Sequence, residues 1–262
     1  MSLNEFFLIG FIGKYMSDNI VAIVLSIAFI CVISYLLGSL NFAIIISGKQ
    51  YRQDIRQFGS KNAGMTNMMR TYGKKAAGYT LLGDALKAVI SCLIGYALLG
   101  QYGAYFAGLF CVVGHMFPLF FRFRGGKGVV TTAITILMCN PIVFLILIVL
   151  FVLIVLATKF ISLGSIICVM LYPIVLDRIE RSTLFYENPP EGCPYVVFAF
   201  FIMLLVVLKH RDNIVRLFHG EENKFSFKKS VDKSAVETDT STEEFTEETS
   251  PATSKKSSKK KK

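Results

Sequence analysis

The sequence predicts an all-α polytopic membrane protein: a seven-transmembrane-helix bundle with its N-terminus outside and its C-terminus in the cytoplasm. Three observations predict it. Hydrophobic residues make up 53% of the 262 and the mean hydropathy is +0.56, above the ~45–50% apolar usage of soluble domains. Apolar runs near the ~20 residues needed to cross a bilayer recur along the chain. Basic residues collect in alternate connections, as the positive-inside rule requires.

The runs place spans near 19–47, 76–99, 105–121, 129–140, 141–158, 160–176 and 195–208. Only the stretch from Val129 to Thr158 is ambiguous, being too long for one ordinary span, and Asn140-Pro141 is a turn signal in its middle. Charge resolves it. Lys49, Arg52, Arg56, Lys61, Arg70, Lys74 and Lys75 face one acid, Asp54, in the first connection, which is therefore inside. Arg122, Arg124 and Lys127 put the third connection inside as well, whereas 177–194 carries Arg178 and Arg181 against four acids and belongs outside. From Lys209 onward the chain is basic again and belongs inside. Splitting 129–158 into two helices satisfies every connection, and a single span does not.

Residues 1–18 form an extracytoplasmic segment, 19–222 the membrane domain and 223–262 a disordered, charged cytoplasmic tail ending in SKKSSKKKK. The start of the chain lacks the short apolar core and small-residue cleavage site of a secretory signal. Cys31, Cys92, Cys111, Cys139, Cys168 and Cys193 show no metal-binding spacing, and all but Cys193 sit in apolar runs, where cysteine acts as a small hydrophobe. The net charge of +10 does not indicate nucleic acid, because the basic residues follow the connections and the tail instead of lining one soluble face. No metal, organic cofactor or obligate protein partner is indicated, and membrane lipid is the one partner that composition requires.

Three cytoplasmic segments carry the chemistry. In GSKNAGMTNMMR, Gly59 and Gly64 permit turns whose amides converge on an anion, Ser60, Asn62, Thr66 and Asn67 add neutral donors, and Arg70 adds a forked one suited to phosphate. An ordinary basic loop would read the same way. In GHMFPLFFRFRGGKGVVTT, the turn Gly125, Gly126, Lys127, Gly128 immediately precedes a helix, whose N-terminus favours negative charge. This is not a nucleotide-binding P-loop, because Phe121 stands where its first glycine belongs and Gly128 follows the lysine. In KHRDNIVRLFHGEE, topology explains Lys209 and Arg216, but Asn213 and the mixed charges suit a polar network beneath the bundle. Within the spans, Asp84 and Lys87 lie three apart on one helical face, either as a structural pair or as support for a site. Ser162 to Ser165, SLGS, is a small-residue packing stripe that starts on the same cytoplasmic side.

Taken in order, these motifs resemble those of the bacterial acyl-phosphate:glycerol-3-phosphate acyltransferases over roughly Val32 to Glu222. The matching segments are Gly38 to Ala43, Gly59 to Arg70, Asp84 with Lys87, Gly114 to Thr131, Ser162 to Ser165 and His210 to Glu222. The resemblance implies a seven-helix enzyme of the bacterial plasma membrane, its active site facing the cytoplasm. It implies transfer of a fatty acyl group from acyl phosphate to the primary hydroxyl of glycerol 3-phosphate, giving lysophosphatidic acid and phosphate, the first acylation of phospholipid synthesis. Carried over by motif, Ser60, Arg70, Lys127, Ser165, His210 and Asn213 become the expected catalytic residues. Gly59, Asn62, Gly64, Thr66, Asn67, Gly125, Gly126 and Gly128 become the expected substrate-binding residues. The departures are Asn41 for proline, Ala43 for glycine, Lys61 for glycine, Met65 for alanine, Ala88 for glycine, Val130 for alanine and Asp212 for glutamate. Lys61 changes the loop most, adding charge and removing backbone freedom.

An acyl phosphate is already activated, so catalysis mainly requires holding two anions together and stabilising the departing phosphate. Donor clusters suffice for that, and a strong base need not be supplied. Accordingly, the positions five after His115, His210 and His219 hold Phe120, Val215 and Lys224, so the His-x4-Asp pair of other glycerolipid acyltransferases is absent. The sequence thus points to the acyl phosphate itself as acceptor of the hydroxyl proton. A transporter of phosphorylated solutes would also need basic loops, but it would show internal repeats and midplane polar groups. A phosphatidyltransferase using metal would need several aspartates at helical spacing, and only Asp84 lies within a span.

Overall fold

The computed structural model describes residues 3–15, 19–182 and 193–224, all helix and connection. Helix α1 (Leu3–Tyr15) lies against α5, adding a helix to the expected N-terminal segment. Next come α2 (Ile20–Ser39) and α3 (Phe42–Tyr51), separated where the expected first span of 19–47 was continuous. The break is made at Leu40 and Asn41: the Asn41 carboxamide caps α3 by accepting from the Ile44 amide at 3.2 Å and donates to Ala63 O at 3.3 Å. A single 3-10 turn (Ile55–Gln57) and α4 (Met65–Tyr72) complete the first connection.

Helix α5 (Lys74–Met116) contains two expected spans in one element, because the chain reverses within it at Leu99 and Gly100. Gly100 adopts φ +57°, ψ −143°, a conformation open essentially to glycine. The arms run side by side: a Cβ on Gly95 would lie 2.2 Å from the Gly103 carbonyl oxygen, so only glycine permits this approach. The anticipated connection at 100–104 is therefore reduced to a single reversal.

Helices α6 (Val129–Cys139) and α7 (Pro141–Thr158) divide the ambiguous run where the turn signal stood. Asn140 caps α7 through the Val143 amide and donates to Glu180 at 2.8 Å, while Pro141 occupies the first helical turn, where its missing N–H costs nothing. Helix α8 (Ile161–Glu180) runs beyond the expected end at 176. Helices α9 (Val196–Lys209) and α10 (Arg211–Phe218) follow, joined at His210. Most of the expected outside loop, 183–192, and the tail from residue 225 onward lie outside the described residues.

The main core is formed by both arms of α5, the first through Cys92 and Tyr96, with α6 to α9, around Tyr105, Met116, Val143, Tyr172, Leu176 and Ile202. Outward faces of α2 and α7 expose Val24, Leu25, Leu145, Val149 and Leu153, the apolar surface that a bilayer would cover. Among the described residues, four helical segments are long and apolar enough to cross a membrane. This architecture, with long apolar helices whose outward faces are hydrophobic, is that of an integral membrane protein.

Candidate active site

The polar end of the bundle is built from three connections locked to one another. Arg56, held by Asp54 at 2.6 Å, donates to the carbonyls of Phe121 and Arg124, each at 2.9 Å. The guanidinium hydrogen bonds hold the Asp54 carboxyl below its ordinary range. This clamp ties the first connection to the Gly125–Gly128 hairpin. The hairpin is also laced to the end of α5, with the Gly125 amide donating to Met116 O at 3.2 Å and the Gly126 amide to His115 O at 3.1 Å.

Between these connections and the bundle lies a cavity of about 590 Å³ with two unlike ends. Ser60, Asn62, Thr66 and Arg70 enter from the first connection and α4, Lys127 from the hairpin, and His210, Asn213 and Arg216 from α9 and α10. The far end is apolar, walled by Ile136, Phe144, Leu147, Phe151, Val155 and Val169. One space thus joins a cationic mouth to a greasy recess, the shape an anionic, single-chain lipid demands.

Its electrostatics follow from burial among like charges. Lys127 is drawn down to about 8, chiefly by desolvation and further by Arg216 and Arg70, against the pull of Glu222 and Asp212. Burial likewise lowers Arg70. The Lys127 ammonium donates to the Asn213 carboxamide, whose Nδ2 donates to Glu222 at 2.7 Å. Glu222 also accepts from Ser162 at 3.0 Å and Arg216 at 2.8 Å, fastening the end of the membrane domain across α8 and α10. His210 falls to about 4, mainly through burial, so its ring is neutral at physiological pH. The Nδ1 proton goes to Val206 O at 2.8 Å, which leaves Nε2 as an acceptor.

All six expected catalytic residues, Ser60, Arg70, Lys127, Ser165, His210 and Asn213, line this cavity, and so do Asn62, Gly64, Thr66 and Gly128. Four expected substrate-binding residues do not. Asn67 is spent on the loop: its Oδ1 accepts from the Ser60 amide at 2.9 Å, and its Nδ2 faces the carbonyls of Ile55, Phe58 and Asn62 at 3.0–3.2 Å. Gly59 sits at φ +54° against that carboxamide. Gly125 and Gly126 spend their amides on α5, and the tight fit against His115 explains why glycine is there. These residues shape the site, because a buried carboxamide bonded on all sides has no capacity left for a ligand. The cavity also includes Asp84, His115, Thr132, Ser162, Arg216 and Glu222, which were absent from the expected set. Glu222 closes the last motif, and that position was the available signal. Thr132 ends the segment that holds the Gly125–Gly128 turn, and its place one helical turn beyond Gly128 was the available signal.

The fold and the cavity define an integral membrane protein that handles anionic amphiphiles at one end of a helical bundle. Comparison with known proteins makes this particular. The family model for glycerol-3-phosphate acyltransferase matches residues 28–220. The glycerol-3-phosphate acyltransferase of Finegoldia magna is 38% identical over 196 residues, covering 74% of this chain and 93% of its own length. That of Syntrophomonas wolfei is 40% identical over 201 residues, covering 77% and 98%. Solved structures of PlsY (YgiH), an integral membrane glycerol 3-phosphate acyltransferase, superpose with TM-scores of 0.66 for the glycerol 3-phosphate form and 0.64 for the lysophosphatidic acid form. These are 34% and 33% identical, each covering 77% of this chain and 96% of the neighbour. The chain belongs to the glycerol-3-phosphate acyltransferase family. It is a membrane glycerol-3-phosphate acyltransferase of phospholipid synthesis.

Proposed function

We propose that the two-ended cavity is the acyl-transfer site, that the donor is a fatty acyl phosphate, and that the product is lysophosphatidic acid. The observation that carries this reading is the continuity of a cationic mouth with an apolar recess in one cavity. The structural neighbours in glycerol 3-phosphate and lysophosphatidic acid forms support it. The acyl chain lies in the recess between α6, α7 and α8, and its phosphate meets Lys127 at the start of α6, where the helix dipole adds to the ammonium. Arg70 grips the phosphate of glycerol 3-phosphate with a forked geometry suited to it. Ser60, Ser165 and Asn213 position the remaining polar atoms.

The primary hydroxyl oxygen bonds to the acyl carbon, the bond from that carbon to the phosphate oxygen breaks, and the phosphate leaves carrying the hydroxyl proton. His210, too weak a base to take that proton outright, orients the hydroxyl through its free Nε2. Binding both anions in one low-dielectric cavity supplies the proximity and charge stabilisation that an activated anhydride needs.

The same reading places seven spans across the plasma membrane of a bacterium, the two arms of α5 counting separately, with the N-terminus outside and the cavity mouth and tail in the cytoplasm. The charge asymmetry of the connections supports it. The test is acyl transfer by purified protein in lipid, with glycerol 3-phosphate and either acyl phosphate or acyl-CoA. Lysophosphatidic acid with released phosphate is expected from acyl phosphate alone, and product from acyl-CoA alone overturns the donor. Arg70→Ala is expected to raise KM for glycerol 3-phosphate ~10–100-fold, the worth of a charged hydrogen bond.

A further inference from the structure

Three charged or ionisable side chains meet where the two arms of α5 face the break between α2 and α3. Lys87 Nζ is buried and lies 3.0 Å from Gly38 O, 2.9 Å from Leu40 O and 2.9 Å from His115 Nδ1. Asp84 Oδ1 balances the ammonium at 2.8 Å without receiving a well-directed hydrogen bond. The two carbonyls are left unpaired by the helix break, and the ammonium satisfies them, as a broken helix inside a membrane protein requires.

These contacts fix the protonation of His115. An ammonium has three protons, and the directed contacts account for all of them. Two go to carbonyls, which can only accept, and the third goes to Nδ1, which must therefore present a lone pair. The competing arrangement, Nδ1–H donating to Asp84, would span 3.5 Å, too long to prevail over a contact of 2.9 Å. The ring is thus neutral with its proton on Nε2. That atom faces Gly126, where an added Cβ would lie 2.2 Å from it. His115 is only 4% exposed and lines the cavity, and among the described residues no acceptor meets Nε2. A donor that opens onto the cavity takes its partner from what fills it.

We infer that His115 is a substrate-facing hydrogen-bond donor, held as the Nε2–H tautomer by Lys87, that binds an oxygen of the acyl phosphate beside Lys127. Asp84 and Lys87 are positioning residues acting through it. The cavity then holds two histidines of opposite tautomer: His115 donates to an oxygen carrying negative charge, and His210 accepts from the hydroxyl. Lys87 has two tasks in this arrangement, sealing the helix break and setting the tautomer.

The inference rests on the cavity being the acyl-transfer site, and the experiment separates the two. The chain has three histidines, so nitrogen NMR of histidine-labelled protein in lipid, assigned by single substitutions, reads each tautomer directly. His115 is expected with Nδ1 bare and Nε2 protonated, whether or not the cavity reading holds. His115→Gln, whose amide nitrogen reaches the Nε2 position, is expected to retain about tenfold more activity than His115→Asn, whose amide nitrogen stops near Nδ1 and which loses ~10–100-fold. Both are scored only as folded, monodisperse protein retaining the His210 and His219 signals. A proton on Nδ1, or equal activities of the two variants, overturns the inference. Full activity of Arg70→Ala would instead overturn the cavity assignment.

Discussion

Lys127 carries a prediction whose direction and size both come from its surroundings. Its side chain is drawn down to about 8 by burial next to Arg216 and Arg70. If the ammonium grips substrate phosphate, the free enzyme is competent below that value and loses competence as pH rises through it. With one proton controlling activity, about nine-tenths of molecules are charged at pH 7 and about one-tenth at pH 9, so kcat/KM should fall roughly tenfold between them. The substrate phosphate cannot produce this fall, because its second pKa of about 6 makes it more anionic over the same range. The assay is the initial rate of lysophosphatidic acid formation in lipid vesicles, at subsaturating glycerol 3-phosphate and acyl phosphate, from pH 6.5 to 9.5. Lys127→Arg keeps its charge throughout and should flatten the limb, even with reduced absolute activity, since a fork does not replace a point charge. A limb identical in wild type and Lys127→Arg, or no fall by pH 9.5, would refute the reasoning.

Further predictions follow from the same geometry. Asn67→Ala should cost about 2–4 kcal/mol in stability, because it strips the buried partner from the Ser60 amide and from three carbonyls, at about 1 kcal/mol for each bond lost; thermal unfolding in detergent measures it, and unchanged stability would show that the loop does not need its brace. Gly126→Ala should lower activity by tenfold or more while the bundle remains folded, since the added Cβ collides with His115 Nε2 and with Ala63 O at 2.5 Å; steady-state kinetics beside a near-native circular dichroism spectrum test it. Lys61→Gly should leave stability within about 0.5 kcal/mol, because relief of roughly 1 kcal/mol of left-handed strain at φ +57° is offset by the greater freedom of glycine in the unfolded chain. Its effect should appear in kcat/KM for glycerol 3-phosphate, which should become less sensitive to ionic strength as the exposed charge beside the mouth is removed.

The sequence alone determined that the chain is a helical membrane protein, where most of its apolar helices lie, and that three polar clusters belong together. Hydropathy is summed over a span, and charge counts over a connection, so neither needs the third dimension. The split at Asn140 is of this kind, because cap and proline act on their immediate neighbours. Tertiary structure decided which polar residues face the cavity. Asn67 and Asn62 stand in one motif and look equally fit to bind phosphate, yet the fold turns one inward to brace the loop and the other toward the cavity. Spacing gives no means to separate them, since the difference lies in which carbonyls the returning chain presents. The reversal at Gly100 is another such decision: it brings Lys87 against His115, twenty-eight positions away, and thereby sets which ring nitrogen keeps its proton. A hydrogen bond depends on tenths of an ångström between distant segments, and only the packed bundle fixes them.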